Sequence, residues 1–245
     1  WALQTALRLD NKISAELGKD SYNPFAVIRD TFLLGSNNNT RHSIFFNQGS
    51  AVFGADYTYI NNKSRQLLTN GIETRELLSH EVKWRFNLLK SWSLTSENNF
   101  SQKTNISKFF PVRNYLIAAY ETEQRLIFQP NTVFRMSGIF KYSDKQNNIS
   151  ENTKEKATIK TLALELKYNQ TEKGSLTGRL DLIKIAYNGA ENSSVAYEML
   201  NGLKAGDNFT WELSYQRNLN NSIQVSINYN GRKTPGAGSI HLGGA

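Results

Sequence analysis

The sequence predicts an all-β chain, an antiparallel up-and-down transmembrane β-barrel of about 12 strands (roughly 10 to 14). Three observations carry that prediction. Apolar and polar residues alternate through most of the chain, clearest in Phe209, Trp211, Leu213 and Tyr215 and again in Ile223, Val225, Ile227 and Tyr229. Several alternating runs reach ten residues or more, whereas strands of soluble proteins centre on about 5–6. Short and long connections alternate along the chain, as they do when short periplasmic turns and longer extracellular loops close opposite ends of a barrel.

Period-two alternation gives about eleven strands directly. They lie at residues 1–9, 41–48, 51–60, 72–89, 92–102, 118–129, 132–142, 157–168, 175–187, 208–219 and 222–231. Short turns fall at 47–50, 90–91, 130–131, 169–174 and 220–221, and long connections at 11–40, 61–71, 103–117, 143–156 and 188–207. Soluble sandwiches mix hairpins with Greek-key crossovers and have no reason to alternate so regularly. Within the long connections, 25–34 is apolar enough for an extra strand or a helical turn, and 196–203 for one helical turn capped at Gly202. The stretch 231–238 reads as the final loop, because it lacks phosphate-loop spacing and follows a strand.

Successive side chains of a strand point to opposite faces, so each run assigns its residues to one of two surfaces. The lipid-facing set is Val82, Trp84, Phe86 and Leu88; Phe134, Met136 and Phe140; Leu162, Leu164 and Leu166; and Phe209, Trp211, Leu213, Tyr215, Ile223, Val225, Ile227 and Tyr229. The lumen-facing set is Glu81, Lys83, Arg85, Glu121, Glu123, Arg125, Arg135, Glu165, Lys167, Arg179, Asp181 and Glu212. Aromatic residues near strand ends, such as Tyr59, Trp92, Phe128 and Tyr168, fit interfacial girdles. Lumen charges of both signs predict ion pairs across neighbouring strands and no strong preference for anions or cations.

Bulk composition narrows the classes of function. A mean hydropathy of −0.52 suits a soluble protein, but also a barrel that averages lipid-facing and lumen-facing positions. No run approaches the roughly 20 apolar residues of a membrane-spanning helix. The absence of cysteine removes disulfides, thiolate metal sites and cysteine nucleophiles. The net charge of +8 is dispersed among acids rather than gathered in a run, which argues against nucleic acid as a partner. Trp1 opens the chain with no methionine or leader, so an export signal is expected to have been removed or to lie outside this sequence.

Catalytic and metal candidates are thin. Glu121 and Glu123 share a strand face, as acid/base chemistry would need, but nothing beside them marks a pocket. His42, His80 and His241 have no second histidine at ligand spacing. Ser79 and His80 are adjacent and therefore point to opposite faces, so they do not form a hydrolytic pair by themselves. The reading is of a protein that is not an enzyme, with no cofactor, no metal site and no catalytic residue. Several Asn-x-Ser/Thr triplets, including those at Asn38, Asn105, Asn148 and Asn192, are what Asn-rich loops produce by chance.

Several stretches carry a family resemblance: Leu67 to Arg75, Ala196 to Leu203, Trp211 to Arg217, and Asn228 to Lys233 followed by His241 and Gly243. They resemble the C-terminal β-barrel region of large, poorly characterised outer-membrane proteins of Bacteroidota-type bacteria. The resemblance implies a bacterial outer-membrane location, a barrel that ends a longer polypeptide, and one more strand, ending in an aromatic residue, after the His-x-Gly segment. Residues 1–245 are accordingly expected to form a single barrel domain. Its expected role is that of a membrane anchor or a subunit of an envelope or surface complex for secretion, assembly or transport. Its partners would be outer-membrane lipid and other envelope or surface proteins. A solute channel of porin type is the alternative, and a soluble β-sandwich binding module the second.

Overall fold

The computed structural model describes residues 2–14, 32–50, 52–68, 71–149, 154–170, 173–218 and 223–244. Twelve strands follow in chain order: β1 (Ala2–Ser14), β2 (Phe32–Phe46), β3 (Phe53–Leu68), β4 (Gly71–Leu89), β5 (Trp92–Ser107) and β6 (Tyr115–Phe128). They continue as β7 (Phe134–Asn147), β8 (Lys156–Gln170), β9 (Gly174–Tyr187), β10 (Gly206–Asn218), β11 (Gln224–Lys233) and β12 (Ile240–Gly244). Each strand pairs antiparallel with the next in one sheet of order β1 to β12, the up-and-down topology. Among the described residues no ladder joins β12 back to β1. The sheet curls into a barrel: Arg41 of β2 and Thr161 of β8, six strands apart, line one cavity.

Register explains the two faces. Pairs such as Leu164 opposite Leu180 and Leu213 opposite Tyr229 stack large side chains outward, while Glu165 opposite Arg179 meet inside. Burial is inverted relative to a soluble domain. Ser43, Thr58, Ser79, Ser137, Thr161 and Asp181 are buried, whereas Leu162, Leu182 and Phe100 are 58%, 55% and 53% exposed. On β4 the outward apolar series runs from Leu78 to Leu88, interrupted only by His80. At about 3.3 Å per residue and a tilt near 40°, that series makes a band about 25 Å tall.

Two connections differ from the sequence reading. The expected long loop at 61–71 is a hairpin. Asn61 to Leu68 continue β3 in register with Gly71 to Leu78, and Lys63 meets Glu76 at 3.4 Å. Apolar alternation fades there, but the backbone ladder does not depend on it, so polar strands extend past the apolar band. Likewise β1 and β2 run on to Ser14 and from Phe32, which shortens the expected 11–40 connection. Residues 25–31 of the 25–34 stretch and the 220–221 turn lie outside the described residues.

The twelfth strand is the His-x-Gly segment itself, Ile240–Gly244, paired on β11. The resemblance implies a strand after this segment, whereas the segment itself supplies the last strand of the ladder among the described residues. Gly231 of β11 explains its seat. The Trp211 ring crosses this glycine toward His241 at a centroid distance of 5.2 Å, and a Cβ there would lie 2.3 Å from Trp211 Cζ2.

Candidate functional site: the lumen and its helical plug

The inward face holds a charged network. Glu123 sits between Arg125, at 3.0 Å, and Lys141, at 2.6 Å, and Arg125 reaches across β7 to Glu165 at 2.8 Å. Lys83 pairs with Glu97, and the Arg179 fork closes on Asp181 at 2.8 Å. Glu121 accepts from Ser143 at 3.0 Å and faces Lys145 at 3.4 Å. Most of these side chains keep a fifth to a half of their surface exposed, so the pairs balance charge in a wet interior rather than bury it.

Other residues of the expected lumen set have different surroundings. Arg85 donates to the carbonyls of Gln48, at 3.2 Å, and Ser50, at 3.1 Å, and so clips the first short turn. Glu81 lines a cavity of about 580 Å³ with Arg41, Asp56 and Thr58. Arg135 and Lys167 lie opposite one another in register, two like charges on the inward face. Glu212 faces Arg179 across β9 and β10 in register, but the guanidinium is turned to Asp181.

All members of the expected outward set within strands have the outward parity, and Trp84, Phe86, Leu88, Phe140, Leu162, Leu164, Leu213, Val225, Ile227 and Tyr229 are exposed. Ile223, just before β11, is 52% exposed. Val82, Phe134, Met136, Leu166, Phe209, Trp211 and Tyr215 are half-buried. The histidines also lie outside. His42 stacks on Tyr59, His80 Nδ1 is 2.8 Å from the Tyr57 hydroxyl, and His241 Nδ1 is 2.7 Å from that of Tyr229. Ser79 turns inward and donates to Asn99 at 2.7 Å, so Ser79 and His80 are parted as alternation requires.

Among the described residues, a buried apolar cluster is built by the connection after β9. There Ser194–Met199 forms one short helix, α1, whose N-cap Ser193 accepts from the Ala196 amide at 2.9 Å. Asn201 and Gly202 follow with φ of 54° and 74°, the left-handed exit for which glycine suits the second position. The chain thus returns into the barrel mouth. Val195, Ala196, Met199 and Leu200 pack on the inward side chains Ile117, Ala157, Ile159 and Ile185 of β6, β8 and β9.

Polar contacts fix the same segment. Glu198 pairs with Lys103 of β5, Lys145 of β7 donates to Asn201 Oδ1 at 3.1 Å, and Ser194 donates to the Val112 carbonyl at 3.4 Å. Below the plug lies a second cavity of about 310 Å³, and Asn99, Glu121 and Asn201 line both cavities.

The helical turn was legible from its apolar residues and Gly202, but its position in the lumen was not. Lys103, Lys145, Glu198 and Asn201 were missed as site residues. The apolar pattern at 195, 196, 199 and 200, behind a Ser at the cap, is the signal that marks a helix with one buried face.

No family model matches the chain, and no curated protein matches it. Among solved structures it is similar to the translocator domain of the autotransporter NalP from Neisseria meningitidis. Identity is 12% over 98% of this chain and 84% of that one, with a TM-score of 0.36. A likeness of that size carries no argument about the role of any residue.

Proposed function

We propose that the chain is an integral outer-membrane β-barrel that serves as an anchor or subunit of a larger envelope or surface assembly. The observation that supports this best is the inverted burial: serines, threonines and charges inside, and a band of exposed Leu, Phe and Trp outside. Soluble monomers rarely leave a contiguous apolar surface of more than a few hundred Å² in water. In a bilayer the same band meets lipid tails instead of water, and the strand ladders satisfy the backbone.

The lumen favours an anchor over an open pore. The α1 segment packs into one mouth, and paired charges of both signs line the interior beside it. A non-catalytic role is part of the proposal. Glu121 and Glu123, the nearest carboxylate pair on one strand, are held by Ser143, Lys145, Arg125 and Lys141.

Extraction and reconstitution test the reading. The barrel should resist carbonate at high pH, require detergent, and float with phospholipid vesicles. Release by carbonate alone refutes the membrane placement. Steady ion conductance by the unmodified protein in planar bilayers refutes the anchor in favour of a channel.

A further inference from the structure

In the middle of the outward band, β5 and β6 break the apolar rule. Their outward residues read Leu94, Ser96, Asn98 and Phe100, and Tyr120, Thr122, Gln124 and Leu126. Register places Ser96 opposite Gln124 and Asn98 opposite Thr122, so four polar side chains form one island. Large outward side chains ring it: Trp84 and Val82 lie opposite Ser96 and Asn98 on β4, and Phe140 and Tyr142 lie opposite Gln124 and Thr122 on β7. Followed along the ladder, the row of Gln124 meets Leu162 on β8 and Leu182 on β9, and the row of Thr122 meets Lys160 and Lys184.

The island is bonded internally, but not completely. Gln124 Nε2 donates to Ser96 Oγ at 2.8 Å and to Thr122 Oγ1 at 3.0 Å. Asn98 Nδ2 donates to Ser96 Oγ at 3.2 Å, and Asn98 Oδ1 accepts from the Tyr120 hydroxyl at 3.5 Å. Those bonds use both hydrogens of the Gln124 amide. Among the described residues, the Ser96 and Thr122 hydroxyl hydrogens, one Asn98 amide hydrogen and Gln124 Oε1 have no partner. Hydrocarbon offers them none.

We propose that this face of β5 and β6 is the contact between two copies of the chain in the membrane, related by a two-fold axis through the island. The proposal rests on the membrane placement above. A two-fold contact needs a patch that complements itself. The island meets that need, because it keeps spare hydroxyl and amide donors beside a spare carbonyl acceptor. Gln124 Oε1 of each copy accepts from a hydroxyl of the other, and the surrounding Trp84, Leu94, Phe100, Leu126 and Phe140 make the apolar contact. A partner presenting only donors or only acceptors would leave half of the set unmet.

The test uses the full chain in phospholipid vesicles at a low protein-to-lipid ratio. Flotation establishes insertion, and single-molecule photobleaching counts the copies. The wild type should be dimeric. Asn98→Leu with Gln124→Leu should weaken dimerisation by about tenfold, the scale of two interhelical-type polar contacts in a membrane. Leu162→Ala with Leu182→Ala should leave it unchanged. Independently, Thr122→Cys in this cysteine-free chain should form an intermolecular disulfide on mild oxidation, which decides the matter even where the leucine variant does not fold. Protein that floats but is monomeric, or a leucine variant as dimeric as wild type, overturns the two-fold contact and leaves the membrane placement standing. Protein that does not float overturns both.

Discussion

Removing the plug's central side chain should open the barrel mouth by an amount the packing predicts. Met199 is fully buried between the helix and the inward side chains of β6, β8 and β9. Truncating a buried Met to Ala costs about 2–5 kcal/mol in a closed core. A helix in a connection can relax more than a core element, so the lower part of that range, about 2–3 kcal/mol, applies. That loss raises the undocked population about 30- to 150-fold, since each 1.4 kcal/mol is a factor of ten.

Cysteine labelling reads this change directly, because the chain has no cysteine of its own. Ala157 is 0% exposed beneath the plug, and Ala157→Cys adds a single sulfur there. A water-soluble maleimide should modify that thiol slowly in otherwise unaltered protein. Adding Met199→Ala should speed the reaction by the factor above, because labelling through local opening follows the open population. Leu164→Ala, on the outer face, should not change it. A thiol at 157 that reacts as fast as one at exposed Glu191, or a Met199→Ala effect below about threefold, would refute the docked plug.

Four further outcomes follow from the same geometry. Deleting residues 191–203 should produce steady conductance in planar bilayers where the intact chain gives none, since the plug then no longer fills the mouth. Arg125→Met should lower the unfolding free energy, measured by urea titration, by about 1–2 kcal/mol. It takes Glu165's partner and one of the two cations at Glu123, which keeps Lys141, and the two carboxylate side chains remain 39% and 21% exposed, so the full penalty for a buried broken pair does not apply. Lys63→Met, at the exposed Lys63–Glu76 pair, should cost about 0.5 kcal/mol or less, and equal shifts for the two would contradict the network. Gly231→Ala should destabilise the barrel by about 1–3 kcal/mol, because the new Cβ meets Trp211 and the Ile240 carbonyl. Tryptophan fluorescence during urea unfolding checks it, and an unchanged midpoint refutes the close approach.

The alternation of Phe209 to Tyr215 and of Val225 to Tyr229 by itself determined which residues share a face and how neighbouring strands are ordered. A strand's side chains must alternate, and a one-residue slip would turn every aromatic inward. The same period placed Glu123, Arg125 and Glu165 together. Period says nothing where polar strands continue beyond the apolar band, so the 61–71 hairpin and the five residues of β12 escaped it. Nor does it say what a curled sheet encloses. Only tertiary structure brings β5, β6, β7, β8 and β9 around one mouth, so that Lys103, Lys145 and Ala157, far apart in the chain, meet at α1. Local geometry sets the direction of each side chain, whereas the company it keeps depends on curvature, which the whole sheet sets together.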